Sequence, residues 1–159
     1  ELSATTDNVV TVDIVALDDL FSTDPTDLSK PYIRPKLMKI DVEGMELGVL
    51  KGGAKLIAAN KPILFVECDR PNTAPELINY IREIGYTPYW VINMLYDEKN
   101  LYRNPVNLWP NQASFNLLCM PTGSLCPVNG LHEAHADDAG IPNGLVPNGC
   151  PVLTYHDAE

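Results

Sequence analysis

Three features of the sequence predict an α/β protein: apolar runs of strand length, segments between them with apolar residues at three- and four-residue steps, and a regular alternation of the two. The chain has 159 residues, 45% of them hydrophobic and 20% charged. A chain of that size buries roughly 68–70% of its unfolded surface, enough for one core. The expected organisation is one domain over residues 1–121 and an irregular tail over 122–159.

The elements follow in order. Val10, Val12 and Ile14 alternate with Thr11 and Asp13, so the segment from residue 9 reads as a half-buried strand that ends in the acidic turn Leu17-Asp18-Asp19-Leu20. Pro25, Pro31 and Pro35 make residues 22–35 a loop. Lys36 to Asp41 is a short strand, and Leu47, Leu50, Ala54 and Ile57 then mark one face of a helix that stops near Asn60. Pro62 to Glu67 is almost wholly apolar, the pattern of a strand covered on both faces in a parallel sheet.

Thr73 and Glu76 have capping-box spacing, Pro75 suits a first helical turn and Gly85 a helix end, so a second helix is expected with Leu77, Ile81 and Ile84 as its buried stripe. Tyr86 to Met94 and Ala113 to Met120 are two further strands. No helix separates them, so they are expected to be antiparallel at an edge, whereas right-handed crossovers join the earlier parallel strands. From Thr122 on, Gly, Pro and Asn predominate and periodicity fades, so this part is an ordered loop wrap or a flexible tail.

Charge excludes some roles. With 11 Lys+Arg against 21 Asp+Glu the net charge is −10, without a basic run for nucleic acid or an anionic membrane surface. No apolar stretch approaches the roughly 20 residues that cross a bilayer. The sequence begins at Glu1 rather than methionine, which suggests a processed or cleaved product. A cytoplasmic location is expected, with a secreted form open. Cys68 and Cys119 read as buried small hydrophobes; Cys126 and Cys150 are either a tail disulfide or free thiols.

Leu37-Met38-Lys39-Ile40-Asp41-Val42-Glu43-Gly44-Met45-Glu46, followed by Val49-Leu50-Lys51-Gly52, is similar to the signature of the FkbM family of S-adenosylmethionine-dependent methyltransferases. Val15 to Leu20 resembles the family's Leu-Asp-acidic-Leu step, Lys61 to Glu67 its Pro-led apolar strand ending in Glu, and Phe115 to Pro121 its last strand, Asn116 included. The resemblance implies a class I, Rossmann-like methyltransferase sheet, mostly parallel with an antiparallel final strand. It also implies S-adenosylmethionine as cofactor and O-methylation of a sugar or other small hydroxylated metabolite.

In such a fold the first strand ends in a glycine-rich turn and the second in an acidic residue that holds the ribose. Neither is present, so the chain reads as the second half of the domain, without assignable cofactor-binding residues. A missing N-terminal half or a homo-oligomer would complete it. The rival reading is a non-catalytic assembly or structural protein that uses an exposed sheet edge.

Methyl transfer to a hydroxyl needs alignment and a base. Asp41 and Glu67, at the ends of two strands, are the expected catalytic residues, and Lys39, Glu43 and Asn116 the expected substrate-binding ones. Helix capping explains Glu43 and Glu46 without any chemistry, strand-end charge pairing explains Lys39, a structural hydrogen bond explains Asn116, and a solvated pair explains Glu67 with Asp69. Tyr89, Trp90, Tyr96, Tyr102 and Trp109 suit either a substrate wall or packing. Cys126, His132, His135, Asp137, Asp138, Cys150 and His156 are metal-capable types without zinc spacing, so no metal is expected.

Overall fold

The computed structural model describes residues 11–110 and 112–138, together with the backbone of residues 152–153. Its frame is a mixed sheet in the order β1-β2-β4-β3-β5. The strands are β1 (Leu37–Ile40), β2 (Ile63–Glu67), β3 (Tyr86–Met94), β4 (Ala113–Pro121) and the two-residue β5 (Val152–Leu153). β1 pairs with β2 in parallel, while β4 is antiparallel to both β2 and β3. β1, β2 and β3 therefore run the same way, and their C-terminal ends share one rim. β4 starts at that rim and runs back.

The expected strand pair at an edge is thus corrected. β4 is interior, with β2 on one side and β3 on the other. Phe115, Leu117 and Cys119 are buried along it. Nine residues of unbroken ladder with such a buried stripe need a partner on each side.

Alternation along the strands separates two faces. Leu64, Val66, Trp90, Ile92, Leu117 and Cys119 lie on one face at 0% exposure and pack with Leu50, Ile57, Leu77, Ile78 and Ile81 of the helices. The residues between them, including Phe65, Glu67, Tyr89, Val91, Asn116 and Leu118, are only half-buried. Pro62 to Glu67 was expected to be covered on both faces; among the described residues, helices cover one. The apolar run misleads because Ile63 and Phe65 sit on the barer side.

The helix expected from Leu47 to Asn60 is two, α2 (Glu46–Gly52) and α3 (Ala54–Asn60). Gly53 divides them, with φ −115° and ψ 20° off the helical values, and a Cβ there would stand 3.1 Å from Leu17 Cδ1. Ala54, expected on the apolar face, is exposed as a result. The later helix, α4 (Ala74–Glu83), buries Leu77, Ile78 and Ile81. Its capping box does not form. Thr73 is already in a helical conformation, held by a turn from Arg70, and its hydroxyl donates to Arg70 O at 3.3 Å instead.

Residues 11–16 form no strand, and a single helical turn, α1 (Leu17–Leu20), follows them. Residues 9 and 10, the start of the expected strand, lie outside the described residues. α1 has another purpose: Asp18 Oδ2 accepts from Lys55 N at 2.8 Å and Oδ1 from Leu56 N at 2.9 Å. The N-cap of α3 is Gly53, which has no side chain to offer, so a carboxylate 37 residues away satisfies its first amides. Asp18→Ala is expected to cost about 1–2 kcal/mol in urea unfolding. An unchanged midpoint would remove Asp18 as the cap.

The tail is not wholly irregular. Residues 131–138 lie along the outer edge of β3, where Trp90 N donates to His132 O at 2.8 Å and Ala134 N to Pro88 O at 2.9 Å. Arg82 Nη2, from the last turn of α4, donates to Glu133 Oε1 and to Ala134 O, both at 2.6 Å. Asp138 accepts the Trp90 indole N–H at 2.5 Å. With β5 paired beside Ile92 and Asn93, this strap covers an edge that would otherwise stand open. Cys126 is a free, exposed cysteine, and Cys150 and His156 lie outside the described residues. No helix among the described residues is long and apolar enough to cross a membrane.

Candidate active site

The shared rim gathers carboxylates. Asp41 follows β1, Glu67 ends β2, and one carboxylate oxygen from each of Asp41, Glu43 and Glu67 lies within 4.8 Å of the others. Among the described residues this is the set of side chains spaced to admit a metal ion, and Asp41 and Glu43 are exposed.

The turn from β1 into α2 places Asp41 and Glu43. Glu43 and Gly44 both take positive φ, 54° and 96°. For Glu43 that backbone region is costly, and contacts on each side hold it. Arg70 Nη2 donates to Glu43 Oε2 at 2.9 Å, and Glu46 Oε1 accepts from Gly44 N at 2.9 Å and Val42 N at 3.3 Å. Glu46, at 6% exposure, closes the turn. The positive φ favours glycine at 44, and a Cβ there would lie 2.8 Å from Arg70 Nε, so it would push that flexible side chain aside. Gly44→Ala is expected to lower stability by about 1–3 kcal/mol and to displace Arg70 from Glu43. Thermal unfolding checks this, and an unaltered midpoint would contradict it.

Two carboxyls at the rim are driven in opposite directions. Lys39 Nζ donates to Asp41 Oδ2 at 2.8 Å, and that bond holds the Asp41 carboxyl below the usual carboxylate range. Burial pushes Glu67 up to about 7, with Asp69, Asp41, Glu43 and Glu46 adding like-charge repulsion. Glu67 Oε2 is buried without a hydrogen-bond partner among the described residues. Near neutral pH one group is an anion and its neighbour is poised to gain or lose a proton, the arrangement that separates acid–base roles.

Asn116 on β4 stands directly opposite Glu67 on β2, so the two side chains share the half-buried face. Its amide also donates to Ser114 Oγ at 3.3 Å. The structure therefore brings Lys39, Asp41, Glu43, Glu67 and Asn116 to one end of the sheet. Trp90 is not a wall residue but a core one at 0% exposure. Tyr96, Tyr102 and Trp109 belong to the connection after β3, at the same rim. Arg70 was not singled out from the sequence; a lone cation just after an acidic strand end, in Asp69-Arg70-Pro71, was the signal for it.

In the tail, Asp138 is engaged by Trp90 and by His135 N at 2.9 Å, and His135 Nδ1 lies 3.4 Å from Arg82. Cys68 and Cys119 are buried, and desolvation pushes both thiols up, Cys68 to about 12. They are core atoms rather than nucleophiles.

The Methyltransferase FkbM domain matches residues 2–88, more than half of the chain. The chain belongs to the FkbM methyltransferase family. The match runs through β1, the rim turn, β2 and α4 and ends inside β3. It thus contains Lys39, Asp41, Glu43 and Glu67, while Asn116 lies beyond it. No curated protein and no solved structure matches the chain. Membership gives methyl transfer as the general class of activity and a methyl donor of the S-adenosylmethionine type as the family's cofactor in general.

Proposed function

We propose that this FkbM-family chain carries the acid–base rim of an S-adenosylmethionine-dependent O-methyltransferase acting on a small hydroxylated acceptor, with Glu67 as general base. The observation that carries the proposal is the buried, unpartnered Oε2 of a Glu67 carboxyl poised near pH 7 at the strand ends. A base with that affinity for protons accepts one from a hydroxyl at neutral pH more readily than an ordinary carboxylate would.

Bound S-adenosylmethionine would supply an electrophilic methyl group on a sulfonium, with the neutral demethylated thioether as leaving group. The anionic rim of Asp41, Glu43 and Asp69 fits a cationic group by charge. Asp41, kept ionised by Lys39, orients the acceptor hydroxyl. Glu67 Oε2 takes the hydroxyl proton as the new carbon–oxygen bond forms. Asn116, opposite Glu67, directs an amide toward acceptor oxygens. Arg70 fixes Glu43 and so the turn that presents Asp41.

The sheet order supports a class I assignment, since three co-directional strands with an antiparallel one inserted between two of them suit the second half of such a sheet. The half-buried face and the exposed Leu37 (61%) on β1, which among the described residues pairs only with β2, also favour a second reading, a non-catalytic partner-binding role at that edge. A calorimetric titration with S-adenosylmethionine separates the two. Saturable binding supports the enzyme, and no heat together with no methyl transfer supports the assembly role.

A further inference from the structure

Two segments of the chain are each suited to a sheet neighbour and have none among the described residues. The first is the outer edge of β1, which ends the sheet and pairs there with β2 alone. Ile63 N donates to Lys36 O at 2.9 Å, which fixes the phase of the parallel ladder. Lys36, Met38 and Ile40 therefore turn their backbone groups toward β2, and Leu37 and Lys39 turn theirs outward. An edge with N–H and C=O groups open is a template for another strand.

The second is Thr11-Val12-Asp13-Ile14-Val15. All but Asp13 are β-branched, which suits a pleated ladder better than a helix. Yet the segment lies in no helix or strand, and no backbone hydrogen bond reaches it among the described residues. Val12 is 73% exposed and Ile14 79%. Its root is nevertheless held. A Cβ on Gly52 would meet Ala16 Cβ at 3.4 Å, and Asp18 caps the first amides of α3, so the segment leaves the helix layer from a fixed point.

Charge matches the two. Residues 30–39 hold four of the 11 Lys+Arg, namely Lys30, Arg34, Lys36 and Lys39, and no acid. Arg34 and Lys36 are exposed and make no ion pair among the described residues. Lysines on an open edge repel a second edge of the same kind, so β1 is a poor partner for another β1. Residues 1–29 hold seven acids, Asp13 among them, and no Lys or Arg. A chain of net charge −10 thus carries a cationic edge and an acidic strand-former, and opposite charge favours their meeting.

We infer that a second copy of this chain fills the edge: residues 11–15 of one copy pair as an added strand with β1 of the other. Within one copy the two segments do not pair. Exchanged reciprocally about a two-fold axis, both open segments are filled at once and the assembly closes as a dimer. Main-chain bonds supply the affinity, and Asp13 against the Arg34 and Lys36 cations selects the partner. The inference stands apart from the methyl-transfer reading, because strand pairing is measured without turnover.

The test combines sedimentation equilibrium of the intact chain with backbone amide exchange, both from micromolar to submillimolar concentration. A monomer–dimer equilibrium is expected, with exchange at residues 11–15 and 37–39 slowing together as the dimer fills. Ile14→Pro combined with Val15→Pro removes a ladder N–H whichever way the segment faces, in a stretch outside every helix and strand. Leu37→Pro removes an outward N–H and leaves the bonds to β2 in place. Each change is expected to raise the dimer dissociation constant by about tenfold or more, with the circular dichroism unchanged. Asp13→Lys makes each copy less negative, which would ease non-specific association, yet it should weaken this dimer.

A chain that stays monomeric throughout overturns the inference. So does a dimer that the proline changes in either segment leave intact, or one that Asp13→Lys tightens. Protection of residues 11–15 and 37–39 that does not depend on concentration assigns the pairing to a single copy and overturns it likewise. None of these outcomes touches the role of Glu67.

Discussion

Glu67→Gln is expected to lower kcat/KM for methyl transfer by about 10²–10⁴-fold, the usual worth of a general base, while leaving the fold intact. The same substitution should raise stability at alkaline pH. The Glu67 carboxyl goes from an ordinary 4.5 to about 7 on folding, chiefly through burial. Between those values the native state binds more protons than the unfolded state, so stability falls as pH rises through the window and stays lowered above it. Glutamine imitates the neutral form. Its gain is therefore absent below the lower value and reaches on the order of 1 kcal/mol above the upper one, discounted because the group is partly in solvent. Activity runs the opposite way, rising through about pH 7 as Glu67 becomes able to accept a proton. Urea titrations at acid and alkaline pH beside a pH–rate profile check both halves. A variant of wild-type activity, or one stabilised equally at all pH values, would contradict this account.

Trp90→Ala should be the most destabilising of the changes considered, by about 3–5 kcal/mol, because it empties a fully buried indole from the centre of β3. It also removes the indole N–H that Asp138 accepts at 2.5 Å, leaving that carboxylate with the His135 amide alone. Asp138→Ala alone leaves that N–H unpaired at an expected cost of about 1–3 kcal/mol. Trp90→Phe removes the donor and keeps most of the apolar volume, so in its background Asp138→Ala should cost distinctly less. A double-mutant cycle by urea unfolding reads that coupling. Strict additivity would mean that the strap over residues 131–138 does not depend on the indole bond. Such a result would leave Arg82, with its bonds to Glu133 and Ala134, as the main tie between the strap and the helices.

Legibility in the sequence followed the range of the interactions. β1, β2, β3 and β4 were readable to within a residue or two, because each is a short apolar run bounded by Pro, Gly or polar residues. α4 was readable from Leu77 and Ile81, although Thr73 does not cap it. The place of β4 between β2 and β3 was not readable, since strand order depends on pairings distant in sequence. The alternation of Val10, Val12 and Ile14 promised a strand that residues 11–16 do not form: an apolar period specifies a strand only where a neighbouring ladder accepts it. Asp18 could be singled out by resemblance, but its purpose appears only when α3 stands beside α1.

The site shows the same division. Residue type and strand-end position brought Lys39, Asp41, Glu43, Glu67 and Asn116 forward, and the sheet places them together at one end. Their chemistry was out of reach of the sequence, because Glu67 differs from Asp41 through burial and neighbouring charge rather than through its own composition. Arg70 escaped notice for a related reason. Its partner Glu43 is 27 residues away, and the strained turn that it braces is visible only in the backbone angles.

The central claim, that Glu67 is a carboxyl held in reserve for proton transfer at neutral pH, is most directly tested by ¹³C-detected NMR titration of the glutamate side-chain carboxyls. One glutamate titrating near pH 7, and missing from Glu67→Gln, is the predicted result. Titration of every glutamate in the ordinary acid range would contradict it.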